Sequence, residues 1–198
     1  MQLLLLTRHG QSRFNVTGTV NGDPALDLGL SELGVREGTE LAQQIAALAI
    51  DLCVVSEFPR AQQTAALALG GREVPHVVDA DLNDIGIGEL EGRTLDDYRD
   101  WKRDRSRKEP FPGGESLDAA ALRYADAYER ALGRSEETIF MVCHEIPVRW
   151  AVNASAGSDE FDAPLHDVAN ATPYVFDEDG LHRAITRMRR LASSTAPV

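Results

Sequence analysis

The feature that most constrains this chain is the apolar run Leu3-Leu4-Leu5-Leu6, which stops abruptly before Arg8-His9-Gly10. A run of this composition is typical of a buried strand. Side chains that directly follow such a strand lie at its carboxyl end, where open α/β sheets place their ligand sites. The run therefore predicts a guanidinium and an imidazole at one edge of a sheet. A core strand followed by an ordinary polar turn explains this segment alone equally well.

Two later segments repeat this design. Leu52–Ser56 predicts a second buried strand, and Pro59 suits the first turn of the following helix, so Arg60 lies just beyond a strand end. The strand predicted over Thr138–Cys143 runs directly into His144. Three strand ends therefore carry two guanidiniums and two imidazoles. If they converge on one crevice, these groups are suited to bind a doubly charged phosphoryl group.

Together the motifs resemble those of the histidine phosphatase superfamily, in the branch related to cofactor-dependent phosphoglycerate mutases. The matching segments occur in the family's order: Arg8-His9-Gly10 with Asn15, Ser56…Arg60-Ala61…Gln63-Thr64, Pro112-Gly113-Gly114-Glu115-Ser116, and His144. The dipeptide Asn170-Ala171 before a final strand also fits. The resemblance extends from Leu3 to about Phe176. Each motif is weak by itself, whereas four motifs in the same order are specific.

Predicted strands alternate with predicted helices along the chain, which favours an α/β fold. We expect a three-layer α/β/α sandwich with a mostly parallel sheet, as in phosphoglycerate mutase-like proteins. The run Asp177-Glu178-Asp179-Gly180 predicts a hairpin turn between Tyr174–Phe176 and a strand over Leu181–Ile185. The hairpin would give the sheet one antiparallel edge strand.

A length of 198 residues suits one domain. We place a single histidine phosphatase domain at residues 1–191, with a lid-like insert at about 84–115. Residues 192–198 are mostly Ser, Thr, Ala and Pro, and we expect this tail to fray.

The resemblance implies a role for each residue at the strand ends. His9 would attack phosphorus and form a phosphohistidine, while Arg8 and Arg60 would clamp the phosphoryl oxygens. His144, if protonated, would bind a further oxygen. The expected substrate-binding residues are Arg8, Asn15, Gly22, Arg60 and His144. The alternative is that the histidines are structural and the arginines form surface ion pairs.

The leaving oxygen needs a proton, and here the chain departs from the family's pattern. Asp84 stands where relatives carry the acidic glutamate, and aspartate is shorter by one methylene. We expect Asp84 to be the general acid, with Glu89 as the alternative donor. A solvated acidic turn is the simpler interpretation. Glu145 replaces the usual glycine after the second histidine, where it would favour charged His144, narrow the pocket or repel phosphate.

The composition restricts the partners. A net charge of −12 argues against nucleic acid and anionic membranes as partners. The small phosphate ester that the motifs imply would therefore need a local positive pocket, which the arginines could provide. No signal peptide or membrane span is apparent, so we expect a cytoplasmic monomer or homodimer. Cys53 and Cys143 fall within predicted strands and are expected to be free, inert thiols. We expect no cofactor and no metal, because no cluster of potential ligands has metal-binding spacing.

One segment of this acidic protein is strongly basic. Residues 93–108 contain seven cations, Arg93, Arg99, Lys102, Arg103, Arg105, Arg107 and Lys108, with aromatic residues at Tyr98, Trp101 and Phe111. In relatives this insert lies over the mouth of the active site. It would then recognise the organic part of an anionic substrate. A solvated helix face is the competing interpretation.

The leading hypothesis is a metal-independent phosphomonoesterase for small soluble esters. A phosphoglycerate mutase is the nearest alternative, but mutases of this family generally carry a longer insert than the one between Asp84 and Pro112. The departures at Asp84 and Glu145 suggest a third hypothesis, a phosphate-binding regulatory module with weakened catalysis. A phosphatase of protein phosphohistidine is the fourth, although such proteins are usually smaller and lack the lid.

Overall fold

A computed structural model describes residues 1–194, in which one five-stranded sheet lies between two helical layers. The strands are β1 (Leu3–Arg8), β2 (Leu52–Val55), β3 (His76–Val78), β4 (Thr138–Cys143) and β5 (Pro173–Asp177). Their order in the sheet is β3-β2-β4-β1-β5. All neighbouring pairs are parallel except β1 and β5. The expected α/β/α sandwich with a mostly parallel sheet is therefore confirmed.

Seven α-helices accompany the strands within the described residues. They are α1 (Arg13–Thr17), α2 (Glu32–Gln44), α3 (Pro59–Leu69), α4 (Leu95–Arg103), α5 (Leu117–Leu132), α6 (Glu145–Ser155) and α7 (Glu178–Ser193). Helices α2 and α3 pack together over one face of the sheet, and α5, α6 and α7 pack over the other. The connecting loops contain short 3-10 helices at Pro24–Leu26, Ala80–Leu82 and Gly88–Leu90.

The leucine run forms the centre of the sheet because both of its faces are covered. Leu4 and Leu6 pack in the cluster with α5 to α7, whereas Leu5 packs in the cluster with α2 and α3. Each of these three leucines is at most 1% exposed. Successive side chains of a strand point to opposite faces, so an unbroken apolar run is what a doubly covered strand requires.

The predicted hairpin is wrong in its second half. The antiparallel edge strand is present as β5, but Leu181–Ile185 lies within α7 instead of forming a strand. The carboxylate of Asp177 accepts a hydrogen bond from the Gly180 amide at 2.7 Å and caps this helix. The acidic run that resembles a turn is therefore a helix start, with acidic residues favoured in the first turn.

The tail also differs from expectation at its start. Ala192 and Ser193 belong to α7, and Ala192 is buried at 5% exposure. Residues 195–198, the rest of the expected frayed tail, lie outside the described residues.

The two cysteines lie on opposite faces of the sheet. Cys53 packs with the α2 and α3 side, and Cys143 packs with the α5 to α7 side. Both are free and fully buried, as predicted. Burial raises the pKa of the Cys53 thiol to about 12 and also raises the pKa of Cys143. Thiols held in this protonated state are poor nucleophiles.

The strand register brings the motif residues together. Arg8 is paired with Cys143 across β1 and β4, so the residues that follow them, His9 and His144, are neighbours. Ser56 follows β2 at the same end, and Arg60 lies in the first turn of α3. Among the described residues, no helix has the length and apolarity needed to cross a bilayer.

Candidate active site

A cavity of about 400 Å³ opens at the carboxyl ends of β1 and β4. Six of the predicted site residues line it: Arg8, His9, Asn15, Gly22, Arg60 and Asp84. His144 is fully buried and lies behind this lining, with its ring centroid 5.3 Å from that of His9. Glu89, the alternative proton donor, is exposed and is not part of the lining. The geometry thus favours Asp84 over Glu89 as the carboxyl beside the histidines.

His9 is held as a neutral imidazole with one nitrogen available. Its Nδ1 lies 2.6 Å from the Gly10 carbonyl oxygen, to which only a protonated nitrogen can donate. Its Nε2 accepts a hydrogen bond from Arg60 Nε at 3.1 Å, so that nitrogen carries the lone pair. Burial and the nearby Arg60 and Arg8 hold the pKa of His9 well below its usual value. This tautomer is the one that an attacking imidazole needs.

The backbone around His9 is also fixed. Asn170 donates to the His9 carbonyl oxygen at 2.8 Å, and the Gly10 amide donates to Thr64 Oγ1 at 2.9 Å. Position 10 has no room for a side chain, because a Cβ there would lie 2.6 Å from the Gly34 carbonyl oxygen on α2. The loop after β1 therefore lies directly against α2 and α3.

Arg60 is the centre of the hydrogen-bond network. Besides His9, its guanidinium donates to Asn21 Oδ1 at 2.5 Å and to Asp27 Oδ1 at 3.2 Å. The second Asp27 oxygen accepts from the Arg60 backbone amide at 2.8 Å. The side chains of Arg60 and Asp27 are 4% and 0% exposed. A buried guanidinium of this kind depends on its carboxylate partner.

Replacing Asp27 with alanine is expected to lower the free energy of unfolding by about 3 kcal/mol, because it leaves a buried guanidinium without its carboxylate. Urea denaturation followed by circular dichroism measures this change. Asp100→Ala is the control, since its ion pair with Arg103 is more than 60% exposed on both sides. Equal, small losses in both variants would show that Asn21 alone satisfies Arg60.

His144, like His9, is held by its hydrogen bonds as a neutral imidazole. Its Nε2 lies 3.0 Å from Ser56 Oγ, and its Nδ1 lies 3.2 Å from Arg60 Nη2. Because Arg60 can only donate, Nδ1 is the acceptor and the proton is on Nε2. Burial, followed by the charge of Arg60, holds the pKa of His144 well below its usual value.

Asp84 faces this cluster from the loop that follows β3. Its Oδ2 lies 3.4 Å from Arg60 Nη2 and 3.6 Å from His144 Nδ1. Burial raises the pKa of the Asp84 carboxyl and the negative charge of Glu145 adds to this, while Arg60, the Ile85 amide and Arg8 act in the opposite direction. A raised pKa favours the protonated carboxyl that a general acid requires.

A second ion pair supports the Asp84 loop. Arg123 on α5 donates to the carbonyl oxygens of Asp81 and Asn83 at 2.9 and 3.0 Å, and to Glu115 at 2.5 Å. Glu115 in turn accepts from the Gly86 amide at 2.9 Å. The Pro-Gly-Gly-Glu-Ser segment recognised in the sequence therefore fixes the backbone that carries Asp84.

Asn15 and Gly22 contribute to the lining in different ways. Asn15 is exposed, and its Oδ1 accepts from the Ser12 amide at 3.0 Å as part of the α1 cap, which leaves its Nδ2 as a donor. The Gly22 amide is already bound to Glu91 Oε2 at 2.8 Å. A Cβ at Gly22 would lie 2.2 Å from the Ile85 carbonyl oxygen, so close packing against the Asp84 loop explains this glycine.

Glu145 contacts arginines instead of His144. Its Oε2 lies 3.0 Å from Arg8 Nη1, and its Oε1 lies 2.5 Å from Arg149 Nη1. Arg8 Nη1 also donates to the Val168 carbonyl oxygen at 2.6 Å, whereas the buried Arg8 Nε makes no hydrogen bond within the described residues. Glu145 therefore holds one side of the Arg8 guanidinium and leaves Nε for another acceptor.

Helix α4, which lies within the insert at about 84–115, forms one wall of the cavity. Its residues Leu95, Tyr98, Arg99 and Lys102 line the cavity, while Trp101 stacks on Phe111 with centroids 4.2 Å apart. Backbone hydrogen bonds from Val20 to Arg93 and from Leu95 to Gly18 attach this segment to the loop after α1. The remaining cations of the basic segment lie outside the lining.

Several supporting residues were missed by the sequence analysis. Asn21, Asp27 and Glu91 hold Arg60 and Gly22 in place, yet they lie in loops without a recognisable pattern. Asn21 and Asp27 lie in the polar segment 21–27, and that polarity was the only signal in the sequence for a role of these two residues.

Comparison with known proteins identifies the family. A model of the histidine phosphatase superfamily (branch 1) matches residues 4–190. A 2,3-bisphosphoglycerate-dependent phosphoglycerate mutase of a Methylobacterium species is 38% identical over 136 residues, which is 62% of this chain and 64% of that protein. A relative with the same name from Parvibaculum lavamentivorans is 30% identical over 89% of this chain and 90% of its own length.

Solved structures give the same fold. A putative α-ribazole-5′-P phosphatase from Escherichia coli superposes with a TM-score of 0.78 over 89% of this chain and 90% of its own, at 24% identity. Similarity at this identity is evidence of fold and not of substrate.

Proposed function

The chain belongs to branch 1 of the histidine phosphatase superfamily, and we propose that it is a hydrolase of small soluble phosphomonoesters that acts through a phosphohistidine on His9. The observation that carries the proposal is the arrangement of His9, Arg60 and Asp84 in one cavity wall, with His144 directly behind them. The unprotonated Nε2 of His9 accepts a hydrogen bond from Arg60, which a phosphoryl group would displace, and Arg60 also contacts Asp84 and His144. This combination supplies a nucleophile, a clamp and an acid without further groups.

In the first step, His9 Nε2 forms a bond to phosphorus as the bond between phosphorus and the leaving oxygen breaks. Arg60 and Arg8, which both line the cavity, stabilise the phosphoryl oxygens as negative charge shifts between them. Protonated Asp84 gives its proton to the leaving oxygen. The negative phosphoryl group also counteracts the effects that lower the pKa of His144, so that this ring can donate to it.

In the second step, a water molecule attacks the phosphohistidine. Asp84, now a carboxylate, accepts a proton from this water, and the bond between phosphorus and Nε2 breaks. Inorganic phosphate leaves, and both His9 and Asp84 return to their starting states. One acid that serves in turn as base accounts for both steps.

Mutase activity is the second candidate, because two relatives carry that name. A mutase must keep water away while the dephosphorylated intermediate reorients within the site. In this chain the cavity mouth is bordered by exposed residues, among them Asn15, Arg99, His166 and Asp167. An open mouth admits water and favours hydrolysis.

From 3-phosphoglycerate primed with 2,3-bisphosphoglycerate, free phosphate is expected to form roughly tenfold faster than 2-phosphoglycerate, since water reaches the phosphohistidine first. A discontinuous assay that quantifies both products from the same reaction measures this ratio. Faster formation of 2-phosphoglycerate would replace the hydrolase proposal with the mutase. Absence of any turnover, including of para-nitrophenyl phosphate in EDTA, would favour the phosphate-binding module.

A further inference from the structure

Every cationic side chain that lines the cavity already has a carboxylate partner within residues 1–194. The pairs are Arg8 with Glu145, Arg60 with Asp27 and Asp84, Arg99 with Asp96, Lys102 with Asp162, and Arg149 with Glu145 and Asp162. The pairs of Arg8, Arg60 and Arg149 are at most 3.4 Å long. The protein itself therefore offsets much of the positive charge in this cavity, with Glu145 and Asp162 each shared by two cations.

Three of the five cations of the basic segment that lie outside the cavity lining are paired as well. Arg103, Arg105 and Arg107 pair with Asp100, Glu109 and Asp118. Arg107 also lies over the rings of Trp150 and Phe161, which makes it part of the packing under α4. The charge of these three arginines is therefore already offset within the segment and by Asp118.

Glu145 is placed where the phosphoryl site meets the rest of the cavity. It begins α6 directly after His144, it lines the cavity, and its side chain is 29% exposed. Arg8 holds one oxygen and Arg149 the other, so the carboxylate cannot turn away from the cavity. Arg149 is fixed in turn by Asp162 at 3.0 Å and by the His166 carbonyl oxygen at 2.8 Å.

We propose that Glu145 is a specificity-determining residue that selects phosphomonoesters whose leaving group carries no negative charge. The inference rests on the proposed function and defines its substrate class. Arg8 and Arg60 bind the phosphoryl group. Beyond them, Lys102 and Arg149 pair with Asp162 and Glu145, and Arg99 pairs with Asp96. Asp167 adds a further carboxylate to the lining at the mouth. A negatively charged leaving group would lie next to these carboxylates, and every cation near it already has a carboxylate partner. Hydroxyl groups of an uncharged leaving group would instead donate hydrogen bonds to the carboxylates.

The test compares two esters that share a three-carbon skeleton. Glycerol 3-phosphate has an uncharged tail, and 3-phosphoglycerate has a carboxylate in place of the terminal hydroxymethyl group. In the unmodified protein we expect kcat/KM to be at least about tenfold higher for glycerol 3-phosphate. Glu145→Gln removes the charge at nearly constant shape, and we expect it to reduce this ratio by about tenfold.

The ratio of the two kcat/KM values distinguishes a role of Glu145 in substrate selection from a role in positioning Arg8. Loosening of Arg8 lowers kcat/KM for both esters alike, while loss of the Glu145 charge changes only their ratio. Glu137→Gln is the matched control, because Glu137 is exposed and precedes β4 at the opposite end of the sheet. Equal kcat/KM values in the unmodified protein, or an unchanged ratio in Glu145→Gln, would overturn the proposal.

A binding measurement distinguishes failure of this inference from failure of the proposed function. In a His9→Ala background no phosphohistidine forms, and calorimetry gives the Kd of each ester directly. We expect the same preference for glycerol 3-phosphate there, reduced by about tenfold when Glu145→Gln is added. Absence of that preference overturns the inference, whereas hydrolase failure alone leaves the binding preference intact.

Discussion

His9→Ala is expected to lower kcat/KM for phosphomonoesters by about 10⁴-fold or more, while the protein remains folded. His9 Nε2 is the only unprotonated nitrogen of this ring, since Nδ1 donates to the Gly10 carbonyl oxygen and Nε2 accepts from Arg60. Alanine removes that lone pair and leaves no neighbouring group in its place. The remaining ring in the cluster, His144, is turned with its Nδ1 toward Arg60 and lies behind the lining.

The measurement combines kinetics with trapping. Rapid acid-free denaturation after mixing with ³²P-labelled ester should yield an acid-labile, base-stable phosphoprotein in the unmodified protein and none in His9→Ala. His182→Ala is the matched control, because His182 is exposed on α7 and does not line the cavity. Label on another residue, or activity within tenfold of the unmodified protein, would refute the role of His9.

The positions of the proposed catalytic groups could be predicted from the sequence because they follow from topology. Arg8, His9 and His144 each lie at the end of a buried strand, and parallel neighbours end at the same edge of the sheet. The register of two six-residue strands was enough to bring them together. No knowledge of side-chain packing was needed for that step.

The protonation states and the ion-pair partners of these groups could not be predicted in the same way. The charge of His144 depends on burial and on Arg60, which reaches it from a helix 84 positions earlier in the chain. The partners of Glu145 depend on the loop that places Asp162 and Val168 beside α6. Such contacts between distant segments leave no periodic signal in the sequence.

The strand predicted over Leu181–Ile185 was wrong because the residues before it have an ambiguous local propensity. Asp177-Glu178-Asp179-Gly180 suits a turn and a helix cap equally well, and tertiary packing decides between them. Leu181, Ala184, Ile185 and Met188 recur at helical spacing and are all at most 3% exposed against the core. Periods of three and four residues in this stretch were the available signal for a helix.

Asp84→Asn is expected to slow phosphorylation of His9 by about 10³-fold for an alkyl ester and far less for para-nitrophenyl phosphate. An alkoxide is a poor leaving group and needs a proton as it departs, whereas para-nitrophenolate leaves without one. Asparagine keeps the shape of the side chain beside Arg60 and His144 but has no acidic proton. The second step then also slows, because asparagine cannot accept a proton from water.

The Asp84 prediction is therefore best tested on the first step alone. With para-nitrophenyl phosphate, Asp84→Asn should release one equivalent of nitrophenol in a rapid burst and then turn over slowly as phosphohistidine accumulates. With glycerol 3-phosphate there should be no burst, because the first step has become limiting. Glu89→Gln, the same change in an exposed neighbour, should behave like the unmodified protein.

The pH dependence of that first step gives an independent readout with a definite sign. Because the pKa of Asp84 is raised, the carboxyl keeps its proton to higher pH than an ordinary aspartate, and the acid is lost as the pH rises through that pKa. Phosphorylation by the alkyl ester should therefore fall with rising pH in the unmodified protein. In Asp84→Asn this fall should be absent, since no proton is available at any pH. Equal slowing of both esters, with the fall retained, would assign the proton to a group other than Asp84.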